Sequence, residues 1–556
     1  MLHETSGVPG NALDPEAWFL FAAGQQRVMD IQRRTFLRQF GVGVTGASLL
    51  WPKQGALAAT LFGTNRLPRS TPEEQGVSSD GVLSFLAAVS KSRHEFHSFM
   101  MVRHGHVVAE GWWAPYGPRL NHMLYSLSKS FTSTAVGFAV HEGKLSVEDK
   151  VISFFPNDVP EQIGDNLKAL RVRHLLTMSV GHADDSTGHI TKTSNWSKAF
   201  LALPIPNEPG TRFLYNSGAT YMLSAIVQKV SGRRVLDYLT PRLFEPLDIQ
   251  RATWEVCPQG INTGGWGLSV TTEALSRFGQ LYLDKGLWKG KRLLPTGWVE
   301  EATSFKIQQP APDLERAKRE SDWHQGYCYQ FWRCRHNAFR GDGAFGQFMV
   351  VMPEQDAVLA ITSETSDMQG ILNLAWDHLL EAMHGEPLQA NHQAHAQLRR
   401  TLSQLALQPP HSSPSSNVEE KAAGKEFKLK PNSMRIAAVV FSFEREQTIF
   451  SVVDEKGTHS ITCGREHWVK GETDMPGTPP KLTVGDLGPR SRVAGSGTWI
   501  DTNTYQMTWR FFETPHHDTV TCRFEGDGVR LEFMNSLTQI SSAHKELRPV
   551  LEGSLA

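Results

Sequence analysis

The chain has 556 residues, with 56 Lys and Arg against 57 Asp and Glu and a formal net charge of -1. That balance excludes a basic field for nucleic acid, and 40% hydrophobic with 20% charged residues is ordinary for a soluble globular protein long enough for more than one domain. Five cysteines (Cys257, Cys328, Cys334, Cys463, Cys522) exclude a disulfide scaffold, and no cysteine–histidine spacing resembles a zinc site.

The chain opens with a targeting segment. Arg33-Arg34-Thr35-Phe36-Leu37-Arg38 is a twin-arginine signature, residues 40–51 form a mild apolar stretch, and Ala56-Leu57-Ala58-Ala59 is a small-residue cleavage pattern. The apolar part is too short to span a membrane, so no stable membrane anchor is expected after cleavage. The expected location is the periplasm or the outside of the cell, by the twin-arginine pathway. Residues 1–28 are long for a charged leader, so Met29 is the expected true start. Residues 1–59 are thus read as an N-terminal extension and signal peptide.

Residues 60–75 read as extended, with a turn at 69–72. Val82, Leu83, Phe85, Leu86 and Val89 have helical spacing over 79–92, with Asp80 in the first turn. Residues 99–113 read as two strands around His104-Gly105-His106. A helical pattern follows Ser126 and stops at Gly143. Short helices with Pro and Gly breaks fill 144–256, a glycine-rich loop spans 262–267, and a helix over 272–284 takes Thr271 as N-cap. Segments 326–335, 345–352 and 357–362 read as strands, and 368–383 as a closing helix. Cys328 and Cys334 share a parity on the first of these strands, so they should point to one face, too far apart to bond. Strands on both sides of a helical insertion predict one α/β domain interrupted by a helical one, with a cleft at the junction.

Residues 386–425 are polar, with Pro409-Pro410 and Ser412-Ser413-Pro414-Ser415-Ser416, and read as a linker. From 426 to 556 the period becomes two. Tyr505, Met507, Trp509 and Phe511 alternate, as do Val520, Cys522 and Phe524, then Val529, Leu531 and Phe533 after Gly526-Asp527-Gly528. This is a separate all-β module. Its His516-His517-Asp518 reads as a polar hairpin turn rather than a metal site, and pairing of Cys463 with Cys522 is not expected.

The chemistry centres on Tyr125-Ser126-Leu127-Ser128-Lys129-Ser130. Positions i and i+3 share a helix face, so Lys129 can take the proton of Ser126. The helix N-terminus leaves N–H groups free for developing negative charge. Ser-x-x-Lys alone is common on solvated helices; further pieces give it weight. Tyr215, one of only nine tyrosines, sits in a turn before an amphipathic helix and is a second candidate base. An oxyanion hole needs two donors. One is the backbone N–H of Ser126, and the other comes from a strand edge such as Gly341-Asp342-Gly343-Ala344. Ser217, Gly343 and Trp266 are the candidate substrate contacts. No cofactor and no metal are expected.

These stretches together resemble the serine β-lactamase and penicillin-recognising superfamily. The likeness is strongest to the branch of class C β-lactamases, DD-peptidases, family VIII carboxylesterases and 6-aminohexanoate-dimer hydrolases. The similarity covers about 70–385: the Ser-x-x-Lys helix and its continuation to 156, then 172–181, 209–232, 264–283 and 341–363. It implies an α/β, β-lactamase/transpeptidase-like fold over 60–385, an antiparallel sheet flanked by helices plus a helical subdomain, followed by the all-β module. It also implies that Ser126 is the acylated nucleophile, Lys129 its activator, Tyr215 the general base and then acid, and Ala344 the second oxyanion donor. Two departures matter. Tyr-x-Asn here reads Tyr215-Asn216-Ser217, so Ser217 replaces the amide. The Lys or His before Thr-Gly is Gly341, which removes a charge-assisted hydrogen bond to a substrate carboxylate, about 1.5–3 kcal/mol. Arg340 or a histidine could compensate.

The expected activity is therefore an exported serine hydrolase of ester or amide bonds, cyclic amides included, working through an acyl-serine. The alternatives are a β-lactamase or DD-peptidase, or a slowly deacylating penicillin-binding receptor. A carbohydrate-binding protein led by the β module is a third reading. The β module could position substrate, cover the cleft or mediate a homodimer.

Overall fold

The computed structural model describes residues 66–410, 415–477, 490–540 and 544–556. The expected signal segment and the expected start at Met29 lie outside the described residues. In the first part of the chain, helix α1 (Ser79–Lys91) precedes the hairpin β1 (Glu95–Arg103) and β2 (His106–Trp112). Three longer helices follow, α2 (Ser128–His141), α3 (Ser217–Ser231) and α4 (Thr272–Leu283), separated by short turns of helix. The chain then returns through β3 (Trp332–Arg333), β4 (Phe339–Gly343), β5 (Gln347–Met352) and β6 (Ala357–Glu364), and closes with α5 (Met368–Leu374).

The six strands form one antiparallel sheet in the order β2-β1-β6-β5-β4-β3. Both faces are covered, so the central strands are continuously apolar rather than alternating with polar residues. Met100, Val102, Met349, Val351, Val358 and Ala360 pack one face against Phe131, Ala135, Leu275 and Phe278 of α2 and α4. The alternate residues Phe99, Met101, Phe348, Val350, Leu359 and Ile361 pack the other face against Val82, Phe85 and Val89 of α1 and Ile371 of α5. The helix starts are fixed by side chains: Ser78 accepts from Gly81 N, and Thr271 from Ala274 N.

Two segments differ from the sequence reading. Only Trp332 and Arg333 of 326–335 are strand, because Gly326 (φ 111°) and Gln330 (φ 63°) turn the chain out of extended geometry. Cys328 and Cys334 consequently fall into cores on opposite faces of the sheet, each a buried free thiol. The expected linker begins with a packed helix, α6 (His392–Ser403), capped by Asn391. Its Ala394, Leu398 and Leu402 recur every fourth residue, and Leu398 is buried in the core that holds α1. The polar residues between them masked that stripe.

The second part is a ten-stranded antiparallel sheet of β7 (Glu426–Leu429), β8 (Ile436–Phe443), β9 (Gln447–Asp454), β10 (Gly457–Gly464), β11 (Val469–Thr473), β12 (Ser491–Trp499), β13 (Thr504–Arg510), β14 (His517–Glu525), β15 (Gly528–Asn535) and β16 (Leu551–Leu555). A parallel pairing of Cys463 with Gly495 and Gly464 with Ser496 closes it into a barrel, leaving β11 paired, among the described residues, to β12 alone. The alternating residues of β13, β14 and β15 fill the interior, Cys522 of β14 among them, together with Cys463 of β10; both are free thiols. A short helix, α7 (Ser536–Ile540), follows β15. Arg510 joins the two parts, with both terminal nitrogens on the Glu95 carboxylate at 2.5 and 2.8 Å. Among the described residues, no helix is long and apolar enough to cross a membrane.

Candidate active site

Ser126 lies on a single 3-10 turn, Tyr125–Leu127, that runs directly into α2. The Ser128 hydroxyl ties the turn down, donating to Tyr125 O at 2.6 Å and accepting from Leu268 N at 3.1 Å. Helix α2 is buried almost all round, so its many Ser and Thr hydroxyls need partners. Ser130 donates to Gln330 O and Thr132 to Gly264 O, both at 2.9 Å.

Lys129, 2% exposed, sits one turn beyond the nucleophile. Its Nζ lies 3.1 Å from Ser126 Oγ, 3.0 Å from Ser217 Oγ and 2.8 Å from Gly265 O. Burial drives the ammonium from its ordinary 10.5 down to about 7, while the carboxylates of Asp185 and Asp342 pull it back up. A lysine in that range can hold or release a proton near neutral pH.

Tyr215 reaches the same spot from the turn before α3. Its ring lies 4.8 Å from Lys129 Nζ and stacks on Trp332 with centroids 5.7 Å apart. Burial, with the charge of Asp342, pushes the phenol far above its ordinary value, and interaction with the Ser126 hydroxyl opposes this. Its side chain stays half-buried, whereas Ser126 is 6% exposed. The local sequence explains the order Tyr-Asn-Ser. Asn216 is the N-cap of α3, accepting from Ala219 N and from Ser186 Oγ, and is turned inward. Ser217, one residue on, presents its hydroxyl to Lys129.

The strand edge β4 completes the wall. A Cβ on Gly343 would stand 2.0 Å from Leu124 O and 3.2 Å from Leu127 N, so only glycine lets this edge lie against the nucleophile turn. Ala344 follows it, partly buried beside Tyr125 and Phe345. Next to Gly343, Asp342 is spanned by Arg340, whose Nε donates to Oδ2 at 2.9 Å. Arg340 is fully buried, donates also to Asp322 O, and lies 4.3 Å from the Trp323 ring. With its side chain fully buried, and Nη2 left without a hydrogen-bond partner, it is not exposed in place of the cation absent at Gly341. A Cβ at 341 would meet Ser130 Oγ at 2.7 Å, so a larger residue there requires the Ser130 side chain to shift.

The structure thus brings Ser126, Lys129, Tyr215, Ser217, Gly343 and Ala344 together. Trp266 does not join them. It is fully buried, its ring 5.8 Å from Trp196, and only the neighbouring Gly265 carbonyl faces the site, so the expected substrate contact is corrected. Sequence reasoning missed Asp185, which has no motif around it. This half-buried carboxylate accepts at Oδ1 from Thr187 N, Thr187 Oγ1 and Ser217 N, at 3.1, 2.7 and 3.0 Å, and acts electrostatically on Lys129. His516 lies in the hairpin loop, as expected, and from there it also meets Tyr125. A cavity of about 360 Å³ lined by Arg66, Arg69, Glu110, Trp112 and Glu273 includes none of the site residues. For metals, Glu95, Glu364 and His517 place one ligand atom each within 4.8 Å. Glu95 already has the Arg510 guanidinium as its counter-charge, and Asp518 is held by Arg548 at 2.7 Å.

The beta-lactamase family model matches residues 97–384. The 6-aminohexanoate-dimer hydrolase of Paenarthrobacter ureafaciens is 28% identical over 338 residues, 56% of this chain and 84% of that protein. Among solved structures, the octameric penicillin-binding protein homologue from Pyrococcus abyssi is similar at 15% identity and a TM-score of 0.44, covering 85% of this chain and 98% of its own. The hydrolase EstCE1, described as having promiscuous acyltransferase activity, is similar at 16% identity and a TM-score of 0.46, over 56% of this chain and 99% of its own.

Proposed function

The chain belongs to the beta-lactamase family, and from that membership we propose that it is a serine hydrolase of ester or amide bonds acting through an acyl-Ser126 intermediate. The observation that carries the reading is the 3.1 Å contact between Ser126 Oγ and a buried Lys129 whose pKa lies near 7. Neutral Lys129 takes the hydroxyl proton as Oγ adds to the substrate carbonyl carbon. The developing oxyanion is met by the backbone N–H groups of Ser126 and Ala344. Tyr215, kept protonated by its surroundings, gives its phenolic proton to the leaving oxygen or nitrogen and is reprotonated from the Lys129 ammonium. In the second half-reaction a water adds to the acyl carbon, its proton passes back through the same two groups, and Ser126 leaves.

Two observations bear on substrate. The position that would grip a carboxylate is Gly341, and Arg340 is closed in by Asp342. The remaining acidic group acting on Lys129 is Asp185, whose own carboxyl is raised above its ordinary value by burial. Esters and amides without an obligatory anion beside the scissile bond are favoured over β-lactams, and a similar protein is named 6-aminohexanoate-dimer hydrolase. A second reading, a slowly deacylating acyl receptor, draws on the near-closure of Ser126. A panel of nitrophenyl esters, linear amides and a chromogenic cephalosporin, run on wild type and Ser126→Ala, tests the reading. Ester or amide turnover that vanishes in the variant is expected, and equal turnover in both overturns it. A stable acyl adduct seen by mass, without turnover, selects the receptor.

We also propose export through the twin-arginine pathway, supported by Arg33-Arg34 and the segment after it. Cell fractionation of an Arg33→Lys, Arg34→Lys variant should show retention in the cytoplasm; an unchanged distribution overturns this.

A further inference from the structure

The barrel touches the chain on both sides of the proposed oxyanion donors. Its 511–516 loop runs beside the segment that leads to Ser126: Met123 N donates to Glu513 O at 2.9 Å, and the Tyr116 hydroxyl to Thr514 O at 3.0 Å. Tyr125, the residue before Ser126, is buried at φ 48°. Phe345, the residue after Ala344, is buried at φ 67°. Both are bulky side chains in left-handed backbone, a conformation that persists only where the surroundings over-determine it.

One barrel side chain meets both. Glu364 is held by the Ser536 hydroxyl at 2.6 Å, and its carboxylate accepts from His516 Nδ1 at 2.6 Å. With the imidazole proton on Nδ1, Nε2 is left as an acceptor, and the Tyr125 phenol donates to it. The His516 ring also stands edge-on to Phe345, with centroids 4.9 Å apart, and Phe345 stands edge-on to Tyr125 at 5.2 Å. Leu537 and Ile540 of α7 close over the same three-residue cluster of Met123, Tyr125 and Phe345, with Ala344 beside it. The turn carrying Ser126 and the strand end carrying Ala344 therefore share one clamp.

We propose that His516 is a positioning residue for transition-state stabilisation: through Tyr125 and Phe345 it sets the spacing of the Ser126 and Ala344 N–H groups, so the barrel is part of the reaction machinery. This rests on the acyl-serine reading above. An oxyanion donor is worth about 10²–10³ in kcat, and a displacement of about 1 Å can cost about 10². The loss should appear in kcat far more than in KM, because the spacing matters to the oxyanion and little to the ground-state carbonyl.

The test uses the full chain as wild type, His516→Ala, His516→Gln and Tyr125→Phe. The rates are expressed per active site, counted by fluorophosphonate labelling, so that misfolded molecules drop out. For a nitrophenyl ester, His516→Ala should lose at least about tenfold in kcat with KM within about threefold. The affinity of a phenylboronic acid, whose serine adduct places an oxygen at the oxyanion position, should fall in proportion. His516→Gln, which keeps an acceptor for Tyr125, should recover part of both, and Tyr125→Phe should reproduce part of the loss. Values of kcat per labelled site within twofold of wild type in His516→Ala and Tyr125→Phe, or unchanged boronate affinity, overturn the proposal. Should wild type itself show no Ser126-dependent turnover, the hydrolase reading falls on its own. Crystal structures then decide the clamp: an unaltered separation of Ser126 N and Ala344 N in His516→Ala overturns it, and a widened one sustains it.

Discussion

Replacing Asp185 by Asn changes one charge beside Lys129 and almost no volume. The Asn oxygen still accepts from Thr187 and Ser217, as Oδ1 does now. Lys129 works as a base only when neutral, so activity belongs to the alkaline side of its pKa and is lost as pH falls through about 7. For wild type, kcat/KM should be about a tenth of its plateau at pH 6, about half near pH 7 and about nine-tenths at pH 8. The Asp185 carboxylate favours the ammonium, so its removal lowers the Lys129 pKa and moves the limb to lower pH. A nearby opposite charge shifts a pKa by about one unit or more, which would raise the variant at pH 6 to about half its plateau. The other charges facing the amine, Asp342 and the Arg340 paired with it, are untouched. The assay is kcat/KM for a neutral nitrophenyl ester from about pH 5 to 9, corrected for spontaneous hydrolysis. A limb that stays in place, or moves to higher pH, refutes the assignment of Lys129 as the base.

Tyr215→Phe keeps the ring on Trp332 and removes only the phenolic proton, so kcat should fall by about 10²–10⁴ with little change in KM; steady-state kinetics with amide substrates, whose leaving groups need that proton, would expose a smaller effect. Gly343→Ala drives a Cβ toward Leu124 O, and urea unfolding should register a loss of about 1–3 kcal/mol together with slower acylation. For Glu364, burial alone would raise the carboxyl, but the hydrogen bond from His516, with His517 beside it, outweighs this and holds it down to about 2. Since the folded value lies below the ordinary 4.5, this stabilisation is present above that pH and is lost as pH falls toward 2. The thermal midpoint of Glu364→Gln should therefore decline less steeply than wild type over that acid range, and parallel curves would rule the linkage out.

Local pattern carried much of this protein. The alternation of Tyr505, Met507 and Trp509 requires a half-buried strand, and Ser126 with Lys129 three residues on requires one shared face if the segment is helical. The helix caps at Ser78 and Thr271 are equally local. Where pattern failed, longer-range packing had decided. Trp266 sits in a glycine-rich loop that looks exposed, yet the chain folds it under Trp196. The stripe of α6 was diluted by polar residues and emerges only against α1.

For the candidate site the division is sharper. Which side chains could carry the chemistry was determined by the sequence alone, because their types and spacings already name a hydroxyl, an amine and a phenol. What state they hold was decided by the tertiary structure. Burial near Asp185 and Asp342 brings Lys129 to about 7, and the same burial keeps Tyr215 protonated. Arg340 is held by Asp342, and His516, 390 positions from Ser126 by their numbering, comes to lie beside its turn. Desolvation and charge depend on what surrounds a group in space, and no spacing along the chain encodes that.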